Sequence, residues 1–273
     1  MDFEDIRQYW DDRAAGDSSA QSTTQDVYLR EIEVNVLLER IQHYAPESVA
    51  DVGCGDGRTT ARLAIGFPDV CFSGFDYSST MIENARSDLS LGESSNIRFD
   101  QLDICAGMKG SFDLIYTTRC LINLPTWDLQ KIALDNIHNS LNVGGLYLMV
   151  ENFIEGHERF NQVRRDFGLP EIRIREHNFL FRRDLLLEYI EGRFEVEEEV
   201  NISSTYYLMS RVVYSRICAD AGRQPDYFDD HHRLAAGLPF AGELGPVRLV
   251  CLRRLWGSGS GSSRAGWTLK PSS

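Results

Sequence analysis

Val49-Ala50-Asp51-Val52-Gly53-Cys54-Gly55-Asp56-Gly57-Arg58-Thr59-Thr60 reads as a short apolar strand, a glycine-rich turn and the opening of a helix. Glycines at alternate positions remove each Cβ where the backbone folds sharply, and they let a ligand come close. The turn leads into a helix N-terminus, whose free N–H groups and positive dipole end suit an anionic group. A nicotinamide-binding loop would show G-x-G-x-x-G. Here the pattern is G-x-G-x-G, Arg58 stands where the third glycine would fall, and Asp51 adds a carboxylate that a pyrophosphate would dislike. No Gly-Lys-Ser/Thr follows, which excludes a Walker loop. The residues describe a strand-end site for a ligand with a cation or amine and no diphosphate.

That stretch resembles motif I of the class I S-adenosylmethionine-dependent methyltransferases. The resemblance implies S-adenosyl-L-methionine as cofactor, with Gly53, Cys54, Gly55 and Gly57 forming its loop and Asp51 near the amino group of its methionine moiety. Cys54 is expected to contribute a backbone contact more than its thiol. Asp76, one βα unit further on at the end of Gly74-Phe75-Asp76, is placed to accept hydrogen bonds from both ribose hydroxyls; the plainer alternative is a helix-capping aspartate. Asp103-Ile104 suits an adenine, the acid accepting from the exocyclic amine and the aliphatic side chain packing on the ring, with Tyr77 and Met81 over the other face. Plain core packing is the alternative for Ile104 and Met81. Thr117, at the end of strand four, is expected beside the cofactor where the sulfonium meets the acceptor.

Leu121-Ile122-Asn123-Leu124-Pro125 with Trp127, the start Tyr9-Trp10-Asp11-Asp12-Arg13-Ala14 and Tyr28-Leu29-Arg30-Glu31-Ile32-Glu33 resemble a bacterial subgroup of the class that modifies natural products, sugars or surface-glycan precursors. By that resemblance Tyr9 and Arg13 close over the cofactor, Arg13 near its carboxylate; an exposed helix charge is the alternative for Arg13.

A methyl sulfonium is already activated, so the protein has mainly to align an acceptor lone pair and exclude water. A hydroxyl acceptor gains from a general base. The candidates are His157, His177, His231, His232 and Glu151, with His177 preferred and a surface histidine as its alternative. His231-His232 beside Asp229 and Asp230 does not make a metal pattern, and no metal is expected. Arg30, Arg119, Asn123, Asn152 and Tyr206 are polar groups placed to hydrogen-bond a hydroxylated acceptor, although Asn123-Leu124-Pro125 is also turn chemistry.

These residues need a scaffold, and from residue 48 onward strands and helices alternate. Strands are expected at 48–52, 70–75, 96–102, 112–117 and 146–150, with helices at 58–65, 80–89 and 129–141 and a turn at 142–145. This α/β order implies parallel pairing and right-handed crossovers in a doubly wound, Rossmann-like sheet; the family likeness makes it seven-stranded. Before it, residues 1–45 read as helical and form an N-terminal lid, with Asp26 capping the helix 27–44 after a polar link from Gly16 to Thr24. Beyond strand five, 153–181 shows no clear period, 183–192 reads as a helix, 194–202 as a strand, 206–221 as a helix, 223–244 as a loop and 246–255 as the last strand. Segments 153–181 and 203–245 are therefore read as a substrate cap, inserted after strand five and within the final hairpin. The Gly/Ser run from Gly257 has linker composition, and 257–273 is set aside from the single domain 1–256.

With 273 residues, 42% apolar and 25% charged, the chain has the makeup of a globular protein. A net charge of −13 disfavours nucleic acid and anionic membranes as partners. An acidic start without an apolar run gives no signal peptide, and six scattered cysteines without a C-x-x-C pair suggest reduced thiols. The reading is a cytoplasmic monomer or homodimer that O-methylates a hydroxyl of a small molecule or sugar-containing intermediate. Its rivals are an N-methyltransferase of an amine or aminosugar, a non-catalytic cofactor-binding scaffold and, least of all, an RNA methyltransferase, for which the N-P-P-Y type motif is missing after strand four.

Overall fold

Successive residues of the central strands are apolar on both sides, as a sheet covered by helices on both faces requires. Val49, Leu114, Tyr116 and Leu148 pack into one cluster with α2 (Val27–Tyr44) and α3 (Arg58–Gly66). Their neighbours Ala50, Ile115, Tyr147 and Met149 pack into the other with α5 (Trp127–Ser140) and α7 (Arg183–Ile190). The computed structural model describes residues 3–16, 26–87 and 96–256. The polar link, the end of the helix expected at 80–89 and the tail at 257–273 lie wholly or partly outside them.

The strands are β1 (Ser48–Val52), β2 (Cys71–Asp76), β3 (Ile97–Gln101), β4 (Phe112–Thr118), β5 (Leu141–Asn152), β6 (Phe194–Val200) and β7 (Val247–Arg254). They form one seven-stranded sheet in the order β3-β2-β1-β4-β5-β7-β6. β1 to β5 are parallel, and β7 runs antiparallel between β5 and β6. The order reverses between β1 and β4, so the crevice for a ligand opens at the carboxyl ends of those two strands.

The N-terminal helix α1 (Phe3–Gly16) lies against α4 (Ser79–Ser87): the Tyr77 hydroxyl donates to the carbonyls of Ile6 and Arg7 at 3.3 and 3.2 Å, and the Asn84 amide to that of Ala14. Asp26 caps α2, its Oδ1 accepting from the Leu29 N–H at 3.0 Å. Two helices occupy stretches without a clear sequence period. α6 (Ile154–Asp166) falls within 153–181 and α10 (Asp230–Ala236) within 223–244. Both are short and charged on most faces, which hides a helical stripe. The helix expected at 206–221 is α8 (Ser204–Tyr207) and α9 (Tyr214–Asp220), joined by a π-helical turn over Leu208–Val213. No helix among the described residues is long and apolar enough to cross a membrane.

Candidate active site

A cavity of about 350 Å³ runs along the carboxyl ends of β1, β2 and β4 and under α1. At its sheet end the loop after β1 is tied to β2, because the N–H groups of Gly53 and Cys54 both donate to the Phe75 carbonyl at 2.7 and 2.9 Å. Gly53, Gly55 and Gly57 have φ of 82°, 54° and 74°, the left-handed region that side chains disfavour. Gly53 and Gly57 are also needed for packing. A Cβ on Gly53 would lie 2.3 Å from Cys120 Sγ, and one on Gly57 2.7 Å from the Phe99 ring. The sequence suggests that these glycines make room for a ligand; at these two it is other protein atoms that take the space.

Asp76 ends β2 with both oxygens engaged: Oδ2 accepts from the Gly55 N–H at 2.9 Å and Oδ1 from the Ser78 N–H at 3.0 Å. It thus shapes the glycine loop and begins the next helix while lining the cavity. Burial pushes its pKa up to about 6, against the backbone donors that hold it down. Asp51 is buried, and its Oδ2 accepts from Thr60 Oγ1 at 2.6 Å and the Tyr116 hydroxyl at 2.7 Å. Burial raises its pKa to about 7. A cationic amine brought beside this carboxyl would favour its ionised form. Asp103, Ile104, Tyr77 and Met81 line the same end of the cavity, with Asp103 Oδ1 accepting from the Cys105 N–H at 2.8 Å. The loop, two strand-end carboxylates and an apolar slot fit an amino-acid-bearing nucleoside.

The other end of the cavity is cationic. Arg30 and Glu33 of α2 lie one helical turn apart and line it with Arg119, Arg173, Arg175 and Arg211, the last paired with Asp26. Arg119 has φ of 50°, one of two non-glycine residues in the left-handed region among those described. Its guanidinium meets Glu33, with Nη2 donating to Oε2 at 3.1 Å and Nε 2.8 Å from Oε1. Burial pushes Glu33 above the usual carboxylate range, and Arg119 opposes that shift. His177 lies against this end, its ring stacked on Tyr9 at 4.6 Å and edge-on to Trp10 at 5.7 Å. Burial, with Arg175 and Arg13 nearby, lowers its pKa, so the imidazole is neutral at pH 7. His157 also lines the cavity and is likewise lowered by burial. Asn123 and Asn152 line it too. Asn123 Nδ2 donates to the carbonyls of Arg119 and Cys120, which fixes its Oδ1, a buried atom without a partner among the described residues.

Several of the expected site residues do not line the cavity, Gly57 of the glycine loop among them. Thr117 faces α5, its Oγ1 2.8 Å from the Tyr147 hydroxyl, and Thr118 takes the cavity position because strand side chains alternate. Tyr9 and Arg13 do not line the cavity; Phe3, Ile6, Arg7 and Trp10 are the residues that α1 turns toward it. Arg13 donates instead to the Tyr9 hydroxyl at 3.4 Å. Tyr206 is fully buried beside the cavity, its hydroxyl donating to Asp26 Oδ1 at 2.6 Å and lying 3.0 Å from His232 Nδ1. Its neighbour Tyr207 and, one turn on, Arg211 reach the cavity instead, through the π-helical turn. His231 is exposed and paired with Asp229, away from the cavity, and no described His, Cys, Asp or Glu group is arranged to hold a metal.

Glu151 is another, and it is a cap. Its Oε1 accepts from the N–H groups of Cys120 and Leu121 at 3.0 and 2.9 Å, and Oε2 from that of Ile122 at 3.4 Å, at the start of the 3₁₀ turn Leu121–Asn123. Its side chain is sealed from the cavity, and burial lifts its pKa to about 7. Glu151→Gln replaces one accepting oxygen by a donor facing donors. The expected result is a stability loss of about 1–3 kcal/mol in urea unfolding, with the limbs of any pH–rate profile unmoved. Wild-type stability together with loss of the acid-side limb of the pH–rate profile would restore Glu151 as a base.

Asp26, Glu33, Tyr207 and Arg211 were not singled out by the sequence as site residues. Glu33 carried a signal: a charge within the apolar stripe of α2, between Ile32 and Val36, which is costly unless partnered. Arg211 pairs with Asp26 across 185 residues and lies 4.3 Å from the Tyr227 ring, contacts no local pattern reveals.

The sheet order and the glycine loop after β1 are the features in which the chain resembles the class I S-adenosylmethionine-dependent methyltransferases. Residues 49–145 match the family described as a methyltransferase domain. A trans-aconitate 2-methyltransferase of Deinococcus radiodurans is 42% identical over 77 residues, 28% of this chain and 28% of that protein. A malonyl-(acyl-carrier protein) O-methyltransferase of Paenibacillus sp. is 25% identical over 173 residues, 60% of this chain and 62% of that protein. The chain thus spans less than two thirds of the length of either relative. The N-methyltransferase NodS of Bradyrhizobium japonicum, solved with S-adenosyl-L-homocysteine, superposes with a TM-score of 0.57 over 91% of this chain and 98% of that one, at 16% identity, a likeness of fold.

Proposed function

We propose that this protein transfers the methyl group of S-adenosylmethionine to an oxygen of a small molecule. The observation that carries the reading is one continuous cavity, acidic at the glycine loop and cationic beyond β4. When bound, the cofactor supplies a methyl sulfonium next to the acceptor. The protein's part is to hold the acceptor oxygen in line with the S–CH₃ bond and keep water out. The O–CH₃ bond forms as the S–CH₃ bond breaks, and S-adenosylhomocysteine leaves. A hydroxyl acceptor gives its proton to His177 or His157, both kept neutral by burial; a carboxylate acceptor has none to give.

A net charge of −13 would by itself attract a cationic amine. At the acceptor end, however, Glu33 and Asp26 are paired with Arg119 and Arg211, and an ammonium would also face Arg30, Arg173 and Arg175. The name of the Paenibacillus relative, an O-methyltransferase, also favours oxygen.

The test is release of S-adenosylhomocysteine from S-adenosylmethionine with matched panels of hydroxylated, carboxylated and amine acceptors. Turnover confined to oxygen acceptors is expected. Turnover of amines alone would replace the reading by N-methylation, and a folded protein without affinity for S-adenosylhomocysteine would point to a scaffold.

A further inference from the structure

We propose that the acceptor carries a carboxylate and that the outer edge of the Arg119 guanidinium is its docking point. This rests on the oxygen-methyltransferase reading and names the substrate class it would take.

A guanidinium offers five N–H donors in a rigid fork. Glu33 occupies one edge of Arg119, on the Nε and Nη2 side. Nη1 and the second hydrogen of Nη2 form another fork, and Nη1 has no partner among the described residues. Two parallel N–H donors of this kind match a carboxylate in geometry and charge. Glu33 is a fixed backstop, since its side chain is 2% exposed on the buried face of α2. The backbone adds a second constraint: Arg119 holds a φ of 50°, a conformation that persists where surroundings over-determine it, often at ligand sites. In addition, the Arg119 N–H donates to the Val150 carbonyl at 2.8 Å, which keeps the residue pinned to β5.

The surroundings select an anion. Arg30 stands one turn from Glu33 on the same wall, and Arg211 approaches from the π-helical turn. Arg173 and Arg175 are exposed on the segment that borders the cavity, where they attract an anion toward the mouth of an otherwise acidic protein. A neutral polyol would use none of these charges.

The full chain, saturated with S-adenosylhomocysteine, is titrated by calorimetry with small hydroxy acids and dicarboxylates and with their carboxamides. Carboxylates are expected to bind at least about 10-fold more tightly than the amides, and with S-adenosylmethionine they are expected to be methylated; hydroxy acids and dicarboxylates separately report whether the reacting oxygen is a hydroxyl or a second carboxylate. Arg119→Gln is expected to weaken carboxylates by about 10- to 100-fold, the loss of a charge-assisted pair, with S-adenosylhomocysteine affinity changed less than about 3-fold. Arg119→Lys should recover little, because an ammonium lacks the fork. Should Arg119→Gln unfold because Glu33 is left buried alone, Glu33→Gln/Arg119→Gln removes the pair together and takes its place. Amides that bind the wild-type complex as tightly as carboxylates, or a folded Arg119 variant that keeps the preference, would overturn the proposal. Loss of S-adenosylhomocysteine binding by the wild type is read in the same titration and would defeat the methyltransferase reading instead.

Discussion

Gly53→Ala is expected to cost about 2–5 kcal/mol in urea unfolding and to abolish measurable binding of S-adenosylhomocysteine. Two effects add. A side chain at φ of 82° costs about 1–2 kcal/mol, and the new Cβ would stand 2.3 Å from Cys120 Sγ and 2.6 Å from its Cβ, an overpacking of about 1–3 kcal/mol. Cys120 cannot easily retreat, because its N–H is held by Glu151 Oε1 at 3.0 Å. The two contributions separate in a double variant. Gly53→Ala/Cys120→Gly removes the clash and should recover the 1–3 kcal/mol of overpacking, leaving the backbone term. A single variant as stable as wild type would show that the loop does not pack as described.

Asp76→Ala is the second large effect, here on the ligand. The carboxylate would accept from the ribose while holding the N–H groups of Gly55 and Ser78, so its loss removes a charged acceptor and loosens the loop at once. A fall of about 1–3 kcal/mol in S-adenosylhomocysteine affinity, about 10- to 100-fold, is expected by calorimetry. Protonation gives an independent check. The free carboxyl has a pKa of about 6, and binding favours its ionised form. Below pH 6 binding therefore has to release a proton, and affinity should rise with pH up to about 6 and then level off. Asp51, near pKa 7 beside the amino group, would extend the rise by about a unit. In Asp76→Ala only the Asp51 part should remain. An affinity unchanged by the substitution would place the ribose elsewhere.

The part of this site that is legible in the sequence is the part built from contiguous residues. Val49–Gly57 carries a strand, a turn and a helix start in one run, and Asp76 and Asp103 each end a strand that the alternation of β and α locates. Helix α2 was likewise readable from Ile32, Val36 and Ile41, with Asp26 at its cap. The acceptor end was readable only as a set of polar residues near strand ends. Arg30, Arg119, Asn123 and Asn152 reach the cavity, whereas Tyr206 misses it by one position: Tyr207, the last residue of α8, and Arg211, in the π-helical turn that follows, line it instead. Thr117 misses it because strand register, set by pairing with β1 and β5, gives that face to Thr118. Glu151 looked like a base at a strand end, and the 3₁₀ turn that consumes both its oxygens is visible only when Cys120, Leu121 and Ile122 fold back over it.

Local sequence by itself determined the α/β alternation, the glycine loop and its two partner carboxylates, because backbone conformation and strand ends are set by neighbouring residues. The charge and shape of the acceptor end were decided only by tertiary structure. They depend on pairs such as Arg119 with Glu33 and Arg211 with Asp26, which lie 86 and 185 residues apart, and burial of paired charges is a property of packing that short-range sequence patterns do not encode.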